Sequence, residues 1–279
     1  MTVVRGVSRR RRHPLAGVLV LLLGLVAVGA LYAALAPRTV QADDLAADED
    51  LVAEGRELFL IGCASCHGAN GQGIIQADGG AYGPSLVGVG AASAYFQVGT
   101  GRMPLSQNSV QAPEKEPVYD DAEIEALSAF VASLGPGPAI PGPEYYDTSE
   151  VTEEDLARGG EFFRTNCTAC HNSVGSGGAL GGGRYAPSLK GVEGSIFASA
   201  LLTGPQSMLP FSDEVISPED KRNIYAYLET VQDQPDYGGY GLGGIGPVSE
   251  GLLAWILGIG VLVGAAAWIG KHTVRTDKQ

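Results

Sequence analysis

The chain has 279 residues, 45% hydrophobic and 7% aromatic, with 41 glycines and a formal net charge of −13. That length accommodates about two domains. The acidic balance argues against nucleic acid as a partner.

The first element is a basic N-terminus, residues 1–13, containing "RGVSRRRRH". It leads into Pro14–Ala36, 23 residues without a charge. At a rise of 1.5 Å per residue, roughly 20 apolar residues cover the ~30 Å hydrocarbon core of a bilayer. The segment therefore reads as a transmembrane helix. A secretory signal cleaved after Ala42 also fits the basic start and the "VQA" that follows. The apolar run exceeds the 7–15 residues usual for signals, which favours a retained helix. Near the other end, Gly251–Gly270 is uncharged over 20 residues and reads as a second transmembrane helix, followed by a cationic tail, 271–279. Positive flanks stay in the cytoplasm, so both termini face inward and residues 37–250 lie outside the cell membrane. That outer region carries 10 Lys and Arg against 30 Asp and Glu, a charge of −20. Such a surface suits a basic neighbouring protein, and equally keeps an exported domain soluble.

The middle of the chain is a duplicated unit, 46–135 and 150–232. "AEGRELFLIGCASCH" from Ala53 matches "ARGGEFFRTNCTACH" from Ala157, and "YGPSLVGV" from Tyr82 matches "YAPSLKGV" from Tyr185. "GRMP" around Met103 then faces "SMLP" around Met208. Each copy ends in a helical pattern: Ile124, Leu127, Val131 and Leu134 in the first, Ile224, Leu228 and Val231 in the second. The second pattern has a clear start, with Ser217 as N-cap and Pro218 at the first helical position. Gly55 with Phe59, and Gly159 with Phe163, suggest a first helix closely crossed by the last. The 136–149 stretch is rich in Pro and Gly and reads as a semi-extended linker. A Gly-rich linker, 233–250, precedes the last apolar segment, and "GSGGALGGG" from Gly175 reads as a flexible loop. No long strand pattern appears. The expected class is mainly α, with small cores that need a staple.

All four cysteines lie in "CASCH", Cys63–His67, and "CTACH", Cys167–His171. Disulfides, a redox dithiol or a zinc site would each use cysteines outside a membrane. None explains a histidine directly after the second cysteine in both copies. CxxCH is the attachment signature of c-type haem. Two intervening residues present both thiols to one edge of the macrocycle for thioether formation, and the next histidine lies beneath the iron. Cys63, Cys66, Cys167 and Cys170 are thus candidate attachment sites for two covalently bound haems, with His67 and His171 as proximal ligands. The other histidines, His13 and His272, flank the apolar segments. Apart from Met1 the methionines are Met103 and Met208, 36 and 37 residues after His67 and His171. Equivalent positions beside Pro104 and Pro210 make them candidate sixth ligands rather than core filler. Methionine donation raises a haem potential. Pro84 and Pro187 are candidates for the carbonyl that accepts from each proximal histidine; plain turn prolines are the alternative.

A helix bearing Gly and Phe, CxxCH, "PSL", a loop methionine and a closing helix resemble the class I cytochrome c fold, present twice. In that family the proline carbonyl accepts from the proximal histidine, which implies that role for Pro84 and Pro187. The order of basic start, apolar segment, two such domains and a C-terminal apolar helix is similar to the dihaem cytochrome c subunit of actinobacterial-type quinol–cytochrome c reductase (cytochrome bcc complex). That resemblance spans nearly the whole chain. It implies a multi-pass protein of the cell membrane with its haem domains outside. It also implies partners: a cytochrome b subunit, a Rieske iron–sulfur subunit and a terminal cytochrome oxidase. Electrons would pass from the Rieske protein through the first domain and then the second to the oxidase. A dihaem carrier of another membrane dehydrogenase or oxidase shares every motif. A dihaem peroxidase needs an open iron position, which a methionine in each copy argues against. Cytoplasmic tails this short leave no room for a sensor's output domain. The chain itself would be the electron-transfer subunit of an oxidoreductase, with no acid–base site, nucleophile or bound small-molecule substrate of its own.

Overall fold

The computed structural model describes residues 14–35, 48–76, 79–107, 109–233 and 247–271. The basic N-terminus, the signal cleavage point after Ala42, most of the 233–250 linker and the C-terminal tail lie outside the described residues.

The chain divides into two units, one of residues 1–40 and one of 41–279. In the first, α1 is a helix over Pro14–Leu35. Every described side chain from Val18 to Leu31 stands exposed. In the second unit, α10 runs over Pro247–Lys271, starting four residues before the expected apolar segment. Among the described residues, Gly251–Lys271 is the helix long and apolar enough to cross a membrane, with a mean hydropathy of 2.3; the described apolar part of α1, Ala16–Leu31, is shorter.

Between them the mainly α expectation holds. The first copy comprises α2 (Glu49–Gly62), α3 (Ala64–His67), the short strands β1 (Ile74–Ile75) and β2 (Ala81–Gly83), α4 (Ala91–Gly99) and α5 (Asp121–Ser133). The second repeats the order: α6 (Glu153–Asn166), α7 (Thr168–His171), β3 (Gly178–Ala179), β4 (Tyr185–Ala186), α8 (Gly194–Thr203) and α9 (Pro218–Gln232). Each strand pair is antiparallel. The "GSGGALGGG" stretch is therefore not a simple flexible loop. It holds β3 and a 3-10 turn at Gly181–Gly183, and its ladder partner is Tyr185–Ala186.

Local chemistry explains where the helices start. Asp48 accepts from the Leu51 N–H, Ser217 from the Asp220 N–H, and Asp120–Glu123 and Thr152–Asp155 form reciprocal capping boxes. These side chains satisfy backbone donors that a helix N-terminus leaves without a partner.

The two cores are built alike. Phe59 meets Phe130 at 4.8 Å between ring centroids, and Phe163 meets Tyr227 at 5.8 Å. Val98, Ile124, Leu127 and Val131 complete the first cluster; Phe197, Leu201, Ile216, Ile224 and Leu228 complete the second. A Cβ at Gly55 would collide with the Ala126 carbonyl, and one at Gly159 with the Asn223 carbonyl. Glycine lets each first helix approach the backbone of the last. These crossings place α5 and α9 in register: Ala126 corresponds to Asn223 and Phe130 to Tyr227.

The Pro- and Gly-rich stretch after α5 is ordered by both copies. The Ala92 N–H donates to the Pro138 carbonyl at 3.1 Å. A 3-10 turn follows at Pro143–Tyr145, and the Tyr146 ring lies against Gly194.

Candidate functional site

Each CxxCH sits on a sharp re-start of the helix. α2 ends at Gly62, and the Cys63 N–H still donates to Phe59 at 2.9 Å. The Cys63 carbonyl then accepts from Cys66 at 3.1 Å and from His67 at 3.0 Å. In the second copy the Cys167 carbonyl accepts from Cys170 at 3.1 Å and from His171 at 2.9 Å. This turn sets the two cysteines three residues apart on one side, with the histidine next in line.

All four thiols are free. Cys63 and Cys167 are half-buried and pack against their own core clusters. Burial pushes each of these two thiols up to about 11, with the charge of the second cysteine adding to the effect. Among the described residues no group of three or more His, Cys, Asp or Glu converges on a metal position.

The histidines are oriented from behind. His67 Nδ1 lies 2.7 Å from the Pro84 carbonyl, and His171 Nδ1 lies 3.0 Å from the Pro187 carbonyl. A carbonyl only accepts, so Nδ1 carries the proton and donates, leaving the Nε2 lone pair free for a metal. Burial lowers the pKa of His171, and its bond to Pro187 opposes that in part. The neutral ring is the form that binds iron.

Two glycines per copy hold the proline loop in place, and the sequence motifs had not singled them out. Gly73 and Gly177 have φ of +81° and +80°, and a Cβ on either would strike the peptide that follows Pro84 or Pro187. Their N–H groups donate to the His67 and His171 carbonyls at 2.7 and 3.0 Å. Gly71 and Gly175 accept from Leu86 and Leu189, both at 2.7 Å. The signal was present: glycine recurs four and six residues after each motif histidine.

Met103 packs on the first core cluster, as do Cys63, Ala64 and Leu86, and Met208 on the second, as do Cys167 and Leu189. The fold thus brings the first cysteine and the methionine of each copy onto one apolar cluster. Free paired thiols, a fixed imidazole with a free Nε2 and a thioether on the same cluster fit a covalently attached haem in each copy. When bound, such a group supplies a one-electron iron couple.

Comparisons with known proteins agree with this geometry. Residues 52–135 match the family "Cytochrome c", and residues 154–228 match "Cytochrome C oxidase, cbb3-type, subunit III". The chain is similar to the "Cytochrome bc1 complex cytochrome c subunit" of Mycobacterium tuberculosis strain H37Rv, 44% identical over 267 residues, covering 95% of this chain and 94% of the relative. The protein of that name from Corynebacterium efficiens is 42% identical over 278 residues, 95% of this chain and 92% of its own. That from Corynebacterium diphtheriae is 41% identical over 288 residues, 98% of this chain and all of its own length.

Proposed function

The chain belongs to the family of cytochrome c subunits of the cytochrome bc1 complex, and from that premise we propose that it relays electrons within a quinol–cytochrome c reductase through two covalently held haems. Cys63 and Cys66 anchor one group and Cys167 and Cys170 the other. His67 and Met103 would hold the first iron, and His171 and Met208 the second. Pro84 and Pro187 hold the imidazoles in the tautomer that leaves Nε2 free. With a histidine and a methionine assigned to each iron, the chain would perform no substrate chemistry of its own, and the protein's part would be to position and tune.

The observation that carries this reading is the doubled arrangement of CxxCH with its histidine bound to a proline carbonyl, at 2.7 and 3.0 Å. The first domain receives an electron from a Rieske iron–sulfur subunit beside a cytochrome b subunit, and the second passes it to a terminal cytochrome oxidase. The apolar α1 and α10 anchor the chain at both ends in the cell membrane, with 37–250 outside. Mild detergent purification of the tagged full chain tests this. Co-purification of cytochrome b, a Rieske protein and oxidase subunits, with two haems resisting acid–acetone extraction, is expected. A haem-loaded chain that comes out alone would overturn the respiratory-complex reading. One extractable haem would overturn the covalent dihaem reading.

A further inference from the structure

The register between the two last helices exposes one position where the copies diverge in kind. Ala126 corresponds to Asn223 at the glycine crossing, so Ile124 corresponds to Lys221. Ile124 is a core residue of the first copy. Lys221, in the same place, is a cation with 0% side-chain exposure. A buried ammonium is costly unless it is paired, and an apolar residue is tolerated there in the first copy, so helix packing alone does not require it.

The partners of Lys221 come from two other segments. Its Nζ lies 2.5 Å from Asp213 Oδ1 and 5.5 Å from the centre of the Tyr145 ring. The Tyr145 hydroxyl donates to Asp213 Oδ2 at 2.7 Å. Tyr145 belongs to the 3-10 turn of the connecting stretch, and Asp213 lies five residues after Met208. The connecting stretch, the methionine loop and helix α9 therefore meet on one buried charge, and the methionine loop carries the candidate iron ligand.

The first copy supports its methionine loop by another route. There Met103 and the helix cap Asp120 are 17 positions apart, and the loop folds back on itself. The Lys115 Nζ donates to the Pro104 carbonyl at 3.0 Å, and the Lys115 N–H donates to Thr100 at 3.2 Å. In the second copy Met208 and the cap Ser217 are only nine positions apart. The loop gains its brace from outside.

We propose that Tyr145, Asp213 and Lys221 form a positioning cluster that braces the Met208 loop, so that the stretch joining the two domains helps to hold the axial ligand of the second haem. This rests on the reading of Met208 as an iron ligand. None of the three residues need touch the haem.

The test uses the full chain in detergent, loaded with haem, in the variants Tyr145→Phe, Asp213→Asn and Lys221→Met. Tyr145→Phe keeps the ring and removes only the hydroxyl, so it remains informative if Lys221→Met fails to fold. Two signals are followed on warming: the weak far-red sulfur-to-iron charge-transfer band of the ferric protein, and far-ultraviolet helix content. The expected result is that each variant loses about half of the far-red band, one haem of two, at a lower temperature than the parent, with helix content intact. Carbon monoxide then binds one of the two ferrous haems, and Met208→Ala removes that same half of the band. Band loss that coincides with loss of helix shows a merely structural cluster and overturns the inference. A band as heat-resistant as the parent's overturns it too. Absence of the band from the parent chain overturns the methionine-ligand reading and the inference with it.

Discussion

Gly55 and Gly159 show how much one hydrogen atom decides. Each sits where the first helix of a copy touches a carbonyl of the last, Ala126 or Asn223. The side chain beneath each crossing is Phe59 or Phe163, at 1% and 0% exposure. Any β-carbon must push two helices apart, and the packed rings leave no slack. Gly159→Ala is expected to lower the stability of the second domain by about 1–3 kcal/mol, the usual penalty for overpacking. The check is the thermal midpoint of the haem-loaded chain. Gly181→Ala, where nothing lies within 4 Å of the added atom, should leave that midpoint unchanged. These glycines were legible in the sequence, because they recur at a fixed distance before a phenylalanine in both copies. Lys221 was not, because a lysine in a helix ordinarily points to water.

At the scale of the element, helix α9 owes its start to Ser217 and Pro218, and the sequence carried both signals. Ser217→Ala removes the acceptor for the Asp220 N–H and should cost about 1 kcal/mol, measured by chemical denaturation of the second domain. Asp220 adds a pH dependence. Its carboxylate accepts from Arg158 Nε, from Arg158 Nη2 at 3.0 Å and from the Ser217 hydroxyl at 3.0 Å. The Arg158 hydrogen bonds are the main reason its pKa falls below the ordinary aspartate value, with Ser217 adding and burial opposing. A folded-state pKa below the unfolded one gives stability that is fully present above about pH 4 and fades as pH drops through the folded value. Asp220→Asn should therefore be less stable than the parent at neutral pH, and the gap should close in acid. Denaturation midpoints across that range decide it; a gap that persists at low pH would count against the ion pair as its source. The capping boxes that open α5 and α6 obey the same local rule and could have been read with equal ease.

The whole molecule is more than two cytochrome domains on a string. Helices α4 and α8, equivalent in the two copies, face one another, with Tyr95 and Ser195 hydroxyls 3.0 Å apart and Ile196 against Gly99. Gln111, beyond the first methionine, donates to the Tyr185 carbonyl at 2.8 Å and accepts from the Tyr185 N–H at 2.9 Å. Tyr185 lies two residues before Pro187, so this pair ties the methionine loop of one domain to the proline loop of the other. Gln111→Ala should free the Tyr185 amide. A loss of about 1–2 kcal/mol of local protection corresponds to roughly five- to thirtyfold faster hydrogen exchange there. Exchange at the Leu228 amide, inside α9, should stay at the parent rate.

The sequence by itself determined the duplicated plan, the candidate attachment cysteines and iron ligands, the apolar helices at both ends and the closing helix of each copy. These follow from spacings of a few residues: two between the cysteines, one to the histidine, three or four along a helix face. Covalent attachment, capping and apolar periodicity act over such distances, so they are written locally. The tertiary structure decided the rest. It turned the Pro- and Gly-rich stretch from a spacer into a packed segment. It revealed the glycines that press each proline carbonyl onto its histidine. It set Lys221 where the first copy has Ile124, joined to Asp213 and Tyr145. Those contacts link residues 8 to 76 positions apart, and a buried cation or a close backbone approach gains its meaning only from what the fold places opposite it.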